Sequence, residues 1–145
     1  MIRVVVDTNI VVSTALPGSR LQPLVEAWKD RRCHLLVSRA IFEEYLRVLT
    51  YPKFQLSSQD IARIIEGDLL PYVEFVNVRT RVEAVPEDPA DNHFLACAVD
   101  GKADLVVSGD HHLLKLRAFQ GIPIVPARDF LTRLGTGRSR EEPPA

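Results

Sequence analysis

The sequence predicts an α/β fold, a three-layer sandwich built around a mainly parallel central sheet. Three observations carry that expectation. Short, continuous β-branched runs stand at Ile2-Arg3-Val4-Val5-Val6, Leu105-Val106-Val107 and Ile122-Pro123-Ile124-Val125, with a weaker one at His34-Leu35-Leu36-Val37; uninterrupted apolar strands mark sheets that are covered on both faces. Helical periodicities fall between these runs, the alternation expected of parallel strands joined by crossover helices. The chain has 145 residues, 46% of them hydrophobic and 26% charged, which suits one domain with a proper core.

In the first run only Arg3 interrupts the apolar sequence. The opening stretch is apolar enough to raise the question of a leader, but Asp7 and Asn9 break it and a single arginine precedes them. A buried strand and a cytoplasmic protein are therefore expected. Leu21, Leu24, Val25 and Trp28 then recur at helical spacing until Lys29-Asp30-Arg31-Arg32 closes the segment. Ser38 caps a stripe of Ile41, Phe42, Tyr45, Leu46 and Leu49 that runs up to Pro52. Ser57 or Ser58 caps a helix carrying Ile61, Ile64 and Ile65 that ends before Pro71. Asp88-Pro89 opens another through Phe94, Leu95, Ala98 and Val99, and Gly101 stops it. Residues 135–145 are polar and rich in Pro and Gly, so a domain over 1–134 and a disordered tail are expected.

Several classes drop out on composition. No apolar run approaches the ~20 residues of a membrane span. Cys33 and Cys97 have neither CxxC nor zinc spacing and read as small buried hydrophobes. The net charge of −1 excludes a surface that grips nucleic acid all over. Such binding would have to be local, with metal ions supplying part of the positive charge.

Four acids stand where a parallel sheet would gather them. Asp7 directly follows the first strand, Asp110 comes one glycine after Leu105-Val106-Val107-Ser108, Asp91 lies in the first turn of its helix, and Glu44 lies on the helix after Ser38. Ligands of open parallel sheets bind beyond the carboxyl ends of the strands. Carboxylates repel one another in a partly desolvated site, so a cluster of them implies a hard divalent cation. Each position also has a local reading. Asp7 suits a turn with Thr8 and Asn9, and Asp110 suits one with Ser108 and Gly109. Glu44 follows Glu43, and periodicity alone does not choose between them. Asp88 reads as an N-cap, with Asp91 at the third helical position as in a capping box.

The histidines add little. His93, His111 and His112 lie near Asp91 and Asp110, but no pair has the i, i+4 spacing of a helical zinc site, and His34 leads into a strand. Asp110-His111-His112 spells the signature of DHH-type phosphoesterases without their paired Asp-x-Asp elements. Asp7-Thr8-Asn9 resembles a phosphatase nucleophile loop, with Asn9 in place of the second aspartate.

Taken together, four stretches resemble a PIN domain over residues 1 to about 130. They are Val4-Val5-Val6-Asp7-Thr8-Asn9; Ser38 with Glu44-Tyr45-Leu46-Arg47-Val48-Leu49 and Tyr51-Pro52-Lys53-Phe54; Asp88-Pro89-Ala90-Asp91-Asn92; and Val107-Ser108-Gly109-Asp110 with Leu113-Leu114. The nearest branch is that of the toxins of type II toxin–antitoxin modules. The resemblance implies a Mg²⁺- or Mn²⁺-dependent endoribonuclease, with one or two ions, that cuts single-stranded or loop RNA to a 5′-phosphate and a 3′-hydroxyl. It implies that Asp7, Glu44, Asp91 and Asp110 are the catalytic acids and metal ligands, with Asn9, Asp88 and Ser108 supporting them. It implies a small antitoxin protein laid across the acidic groove, a homodimer, and no membrane. Arg20, Arg39, Lys53 and Lys115 flank the motifs and would form a basic rim for RNA. The chemistry suits the inventory: carboxylate-bound Mg²⁺ lowers the pKa of water, orients a phosphate and screens charge. Two other readings compete, a DHH-like or other metal-dependent phosphoesterase acting on nucleotides and a non-catalytic PIN-like RNA-binding module. The intact acids count against the second.

Overall fold

The computed structural model describes residues 1–86 and 88–141, the side chains of residues 89 and 136–141 excepted. Its strands are β1 (Ile2–Val6), β2 (Cys33–Val37), β3 (Val73–Phe75), β4 (Leu105–Val107), β5 (Ala118–Phe119) and β6 (Ile122–Val125). They form one sheet in the order β3-β2-β1-β4-β6-β5, parallel except for the β5–β6 hairpin. The expected α/β architecture with a mainly parallel sheet is the one observed. The β-branched runs occupy its middle: Val4, Val5, Val6, Val106 and Val107 are all buried, as strands covered on both faces must be.

The helices are α1 (Thr8–Ala15), α2 (Gln22–Lys29), α3 (Arg39–Leu49), α4 (Ser58–Arg63), α5 (Pro89–Asp100), α6 (His111–Leu114) and α7 (Ala127–Glu141). In α3 four residues of the predicted stripe, Ile41, Phe42, Tyr45 and Leu49, are buried, with Val48 rather than the half-buried Leu46 completing the inward face, and Ser38 caps the helix through Ile41 N at 3.2 Å. Ser57 begins α4 with a reciprocal capping box to Asp60, and the helix widens into a π-helical turn over Ile64–Leu69. It ends before Pro71, as predicted.

Two regions depart from expectation. The sequence predicts no helix over Thr8–Ala15, whose Val11, Val12 and threonines favour strands. Asp7 nevertheless caps this segment, accepting from Ile10 N at 2.9 Å, and Val11 and Val12 are buried; cap and burial override propensity. At the other end, disorder is expected from Gly135, but α7 continues through Glu141. Buried Phe130 and Leu134 anchor its first turns, and propagation then adds one bond per residue fixed. Residues 142–145 of the expected tail lie outside the described residues.

Gly101 ends α5 for a reason of space. Its φ is ordinary, but a Cβ there would stand 2.8 Å from both the Cys97 carbonyl and Val76 Cγ2. The left-handed turn falls on the next residue, Lys102, at φ 54.

Candidate metal centre

The strand order reverses between β1 and β4, and the crevice at such a switch point is where open parallel sheets take their ligands. Register sets the first contacts. Val6 pairs with Val107, so Asp7 and Ser108 leave the sheet side by side, and Asp7 N donates to Val107 O at 2.9 Å. The Ser108 hydroxyl is buried between the two acids. It donates to Asp7 Oδ2 at 2.5 Å and accepts from Asp110 N at 2.9 Å, while Gly109 N donates to the same Asp7 oxygen at 3.0 Å. With Ile10 N on Oδ1, Asp7 accepts three hydrogen bonds. A carboxylate has about four lone-pair sites, so one is left for a cation. Burial raises the Asp7 pKa, its three hydrogen bonds oppose that, and Asp110 adds to it.

Asp88, Asp91 and Asp110 form the tightest cluster. Each offers a carboxylate oxygen, and these oxygens all lie within 4.8 Å of one another. Asp88 caps α5 through Ala90 N at 3.1 Å, and Asp110 caps α6 through His112 N at 2.7 Å. Asp91 differs from both. It is buried, and its Oδ2 has no hydrogen-bond partner among the described residues. Burial pushes its pKa up to about 7, helped by Asp110, Asp88, Asp7 and Glu44 in that order. Among the described residues Asp91 makes no capping-box bond to Asp88, the local alternative the sequence offered, and Asp88 caps α5 alone. A buried carboxylate oxygen without a donor is costly; an oxygen-liganded cation such as Mg²⁺ or Mn²⁺ would satisfy it, so the residues present fit a metal.

Glu44 reaches this centre from α3. The Thr8 hydroxyl donates to its Oε2, and Arg47 Nη2 lies 3.5 Å from Oε1. Glu43 faces outward and pairs with Arg39 at 3.2 Å. The buried Tyr45 hydroxyl donates to Val6 O at 2.5 Å, fixing α3 to the strand that delivers Asp7. Asn92 holds the approach to α5, accepting from Val85 N at 2.8 Å and donating to Val85 O at 3.0 Å.

A family model for the PIN domain matches residues 3–112. The chain belongs to the PIN-domain family. Two solved structures share the PIN-domain architecture at low identity. That of FitAcB from Neisseria gonorrhoeae aligns at 14% identity and a TM-score of 0.53, covering 86% of this chain and 98% of its own. That of PAE2754 from Pyrobaculum aerophilum aligns at 15% identity and 0.56, covering 93% and 90%. No curated protein matches the sequence.

Within this PIN domain the predicted acids fall into two groups. Asp91 and Asp110 join Asp88, which the sequence places only in a supporting role, while Asp7 is linked to Asp110 through the Ser108 hydroxyl and Glu44 is held by the Thr8 hydroxyl. Asn9 is exposed on the first turn of α1. The predicted basic rim, Arg20, Arg39, Lys53 and Lys115, is exposed throughout, with Arg39 paired to Glu43 and Lys53 5.1 Å over the Phe54 ring. His111 and His112 stack at 4.2 Å, and His112 Nδ1 is buried with no partner among the described residues. Thr8 and Arg47 were not singled out from sequence. Both stood inside matching stretches, and only their places beside Asp7 and one turn after Glu44 hinted at a role. Both cysteines are buried, and burial raises their thiols to about 11 and about 12, which makes them inert.

Proposed function

We propose that this PIN domain is a Mg²⁺- or Mn²⁺-dependent endoribonuclease that cuts single-stranded or loop RNA, and that it is the toxin of a toxin–antitoxin pair. One observation supports the metal above all: the buried, unpartnered Asp91 Oδ2 inside the Asp88–Asp91–Asp110 cluster. Asp88, Asp91 and Asp110 would hold the ion, with Asp7 and Glu44 closing the site or holding a second. Bound there, the ion would supply an activated water and neutralise charge on the attacked phosphate. The protein's own groups do the positioning. Ser108 and Gly109 fix Asp7, Thr8 fixes Glu44, and the caps of α5 and α6 fix Asp88 and Asp110. Held this way, the acids need little reorganisation as the reaction proceeds.

The choice of RNA, the antitoxin, the homodimer and a cytoplasmic setting rest on the sequence resemblance. No helix among the described residues is long and apolar enough to cross a membrane.

The test is incubation with labelled single-stranded RNA, and separately with nucleotides, in Mg²⁺, Mn²⁺ or EDTA. Endonucleolytic products ending in 5′-phosphate, lost in EDTA, are expected. Cleavage that survives EDTA would end the metal mechanism, and hydrolysis of nucleotides alone would favour a phosphoesterase. Co-purification of a small upstream-encoded protein that silences cleavage would support the toxin reading.

A further inference from the structure

Arg39 and Lys53 are engaged with Glu43 and Phe54, while Arg47, absent from the predicted rim, stands beside a site acid. It follows Glu44 by one helical turn, and residues at i and i+3 are neighbours on a helix surface. Long helical side chains lean back over the turn before them, which carries the guanidinium toward Glu44. Nη2 lies 3.5 Å from Glu44 Oε1. That is longer than a charge-assisted hydrogen bond of ~2.7–2.9 Å, so the two charges are neighbours without forming a closed fork. The other Glu44 oxygen already accepts from Thr8. The Arg47 side chain is 61% exposed against 18% for Glu44, so much of its guanidinium, with five N–H donors, is open to solvent beside that acid.

This placement answers a problem posed by the charge balance. A polyanion approaching a nest of carboxylates is repelled, and a chain of net charge −1 offers no general attraction. A planar guanidinium at the rim offers a two-pronged seat for phosphate, which an ammonium cannot. We propose that Arg47 is the residue that grips a backbone phosphate of the RNA beside the acid cluster, with Glu44 orienting its guanidinium. The inference rests on the ribonuclease reading and assigns Arg47 to substrate binding.

The test compares wild type, Arg47→Ala and Arg47→Lys. For cleavage in Mg²⁺, Arg47→Ala is expected to raise KM about tenfold, the scale of one lost charged contact, with kcat within about twofold. The slope of log affinity against log salt should fall by about 0.7, one phosphate contact on a single strand. Arg47→Lys should restore the slope and only part of KM. Mn²⁺ affinity, followed by titration, should stay within about twofold, which a residue that merely props up Glu44 would not allow. Anisotropy of labelled RNA in Ca²⁺ reads binding apart from cleavage. If wild type cuts nothing, the ribonuclease reading fails, and the Ca²⁺ measurement still decides whether Arg47 grips RNA. Unchanged RNA binding and salt slope in Arg47→Ala overturn the inference, as does a loss confined to kcat and metal affinity.

Discussion

At the amino end of β1, Arg3 lies between Glu74 and the Gly101 carbonyl; at the carboxyl end, Asp7 lies among further acids. The first end is balanced. Arg3 donates to both Glu74 oxygens at 3.0 and 2.7 Å and to Gly101 O at 3.0 and 2.8 Å, and its hydrogen bonds hold the Glu74 carboxyl below the usual carboxylate range. Asp100 is lowered too, by the Thr80 hydroxyl and the Thr80 and Arg79 amides. The second end is unbalanced. Asp7 and Asp91 are both raised, first by burial and then by neighbouring acids. Aspartates are thus pushed opposite ways at the two ends, Asp7 and Asp91 upward and Asp100 downward. The carboxylates at the balanced end come with their donors, whereas at the switch point the buried Asp91 leaves its Oδ2 open.

Removing one acid from each end should separate these roles most sharply. Asp110→Asn is expected to cut RNA cleavage by about 10³-fold, since a metal contributes several kcal/mol of charge stabilisation, with an unchanged circular dichroism spectrum and an unchanged melting temperature in EDTA. Glu74→Gln should leave cleavage within about twofold. Equal losses would mean that the two ends do not differ in kind.

Gly101→Ala probes the balanced end alone. Its Cβ would meet the Cys97 carbonyl and Val76 at 2.8 Å and Leu36 at 3.1 Å. Two of these contacts are side chains that can give, so a cost of about 1–3 kcal/mol is expected, read as a lower denaturant midpoint with metal affinity intact.

How much of this was legible in the sequence follows from how local each signal is. Strands such as Ile2–Val6 and Leu105–Val107 announce themselves because burial on both faces demands uninterrupted apolar residues. The α3 stripe is equally plain. The α1 helix was hidden because its β-branched residues point to a strand, and its cap, Asp7, looked like part of a turn. Strands β3 and β5, of three and two residues, are too short to show a period. At the site, strand-end position picked out Asp7 and Asp110. The role of Asp88 was not legible, because a helix cap and a cluster member are the same residue in sequence. Arg47 stood in a matching stretch with no role attached, because its nearness to Glu44 depends on how its long side chain folds back along α3.

The α3 glutamates sharpen the comparison at the level of one helical step. Glu44 touches Thr8 and Arg47, whereas Glu43 is more than half exposed and pairs only across the surface with Arg39; such pairs contribute ~0.2–1 kcal/mol. Glu44→Gln should lower kcat/KM by about tenfold or more, and Glu43→Gln by less than about twofold. A larger effect from Glu43 would place the working face of α3 elsewhere.

The smallest expected effect concerns pH, and its sign is specific to the unbalanced end. The folded Asp91 pKa, about 7, lies above its ordinary value of 3.8, so the folded protein holds this proton more tightly than the unfolded chain. Linkage then makes the contribution of Asp91 fully present below about pH 4 and progressively lost as pH rises through about 7. In EDTA the melting temperature should therefore drift down by a few degrees between about pH 5 and 8, and Asp91→Asn should flatten that drift. Asp7 works in the same direction. Glu74 and Asp100, lowered in the fold, have the opposite sign, and their effect is spent below about pH 5, outside that window. Added Mg²⁺ should invert the trend, because a cation competes with the Asp91 proton and binds more tightly as pH rises. A melting temperature that climbs from pH 5 to 8 in EDTA would mean that Asp91 is ionised and partnered, and the open oxygen that argues for a metal would not exist.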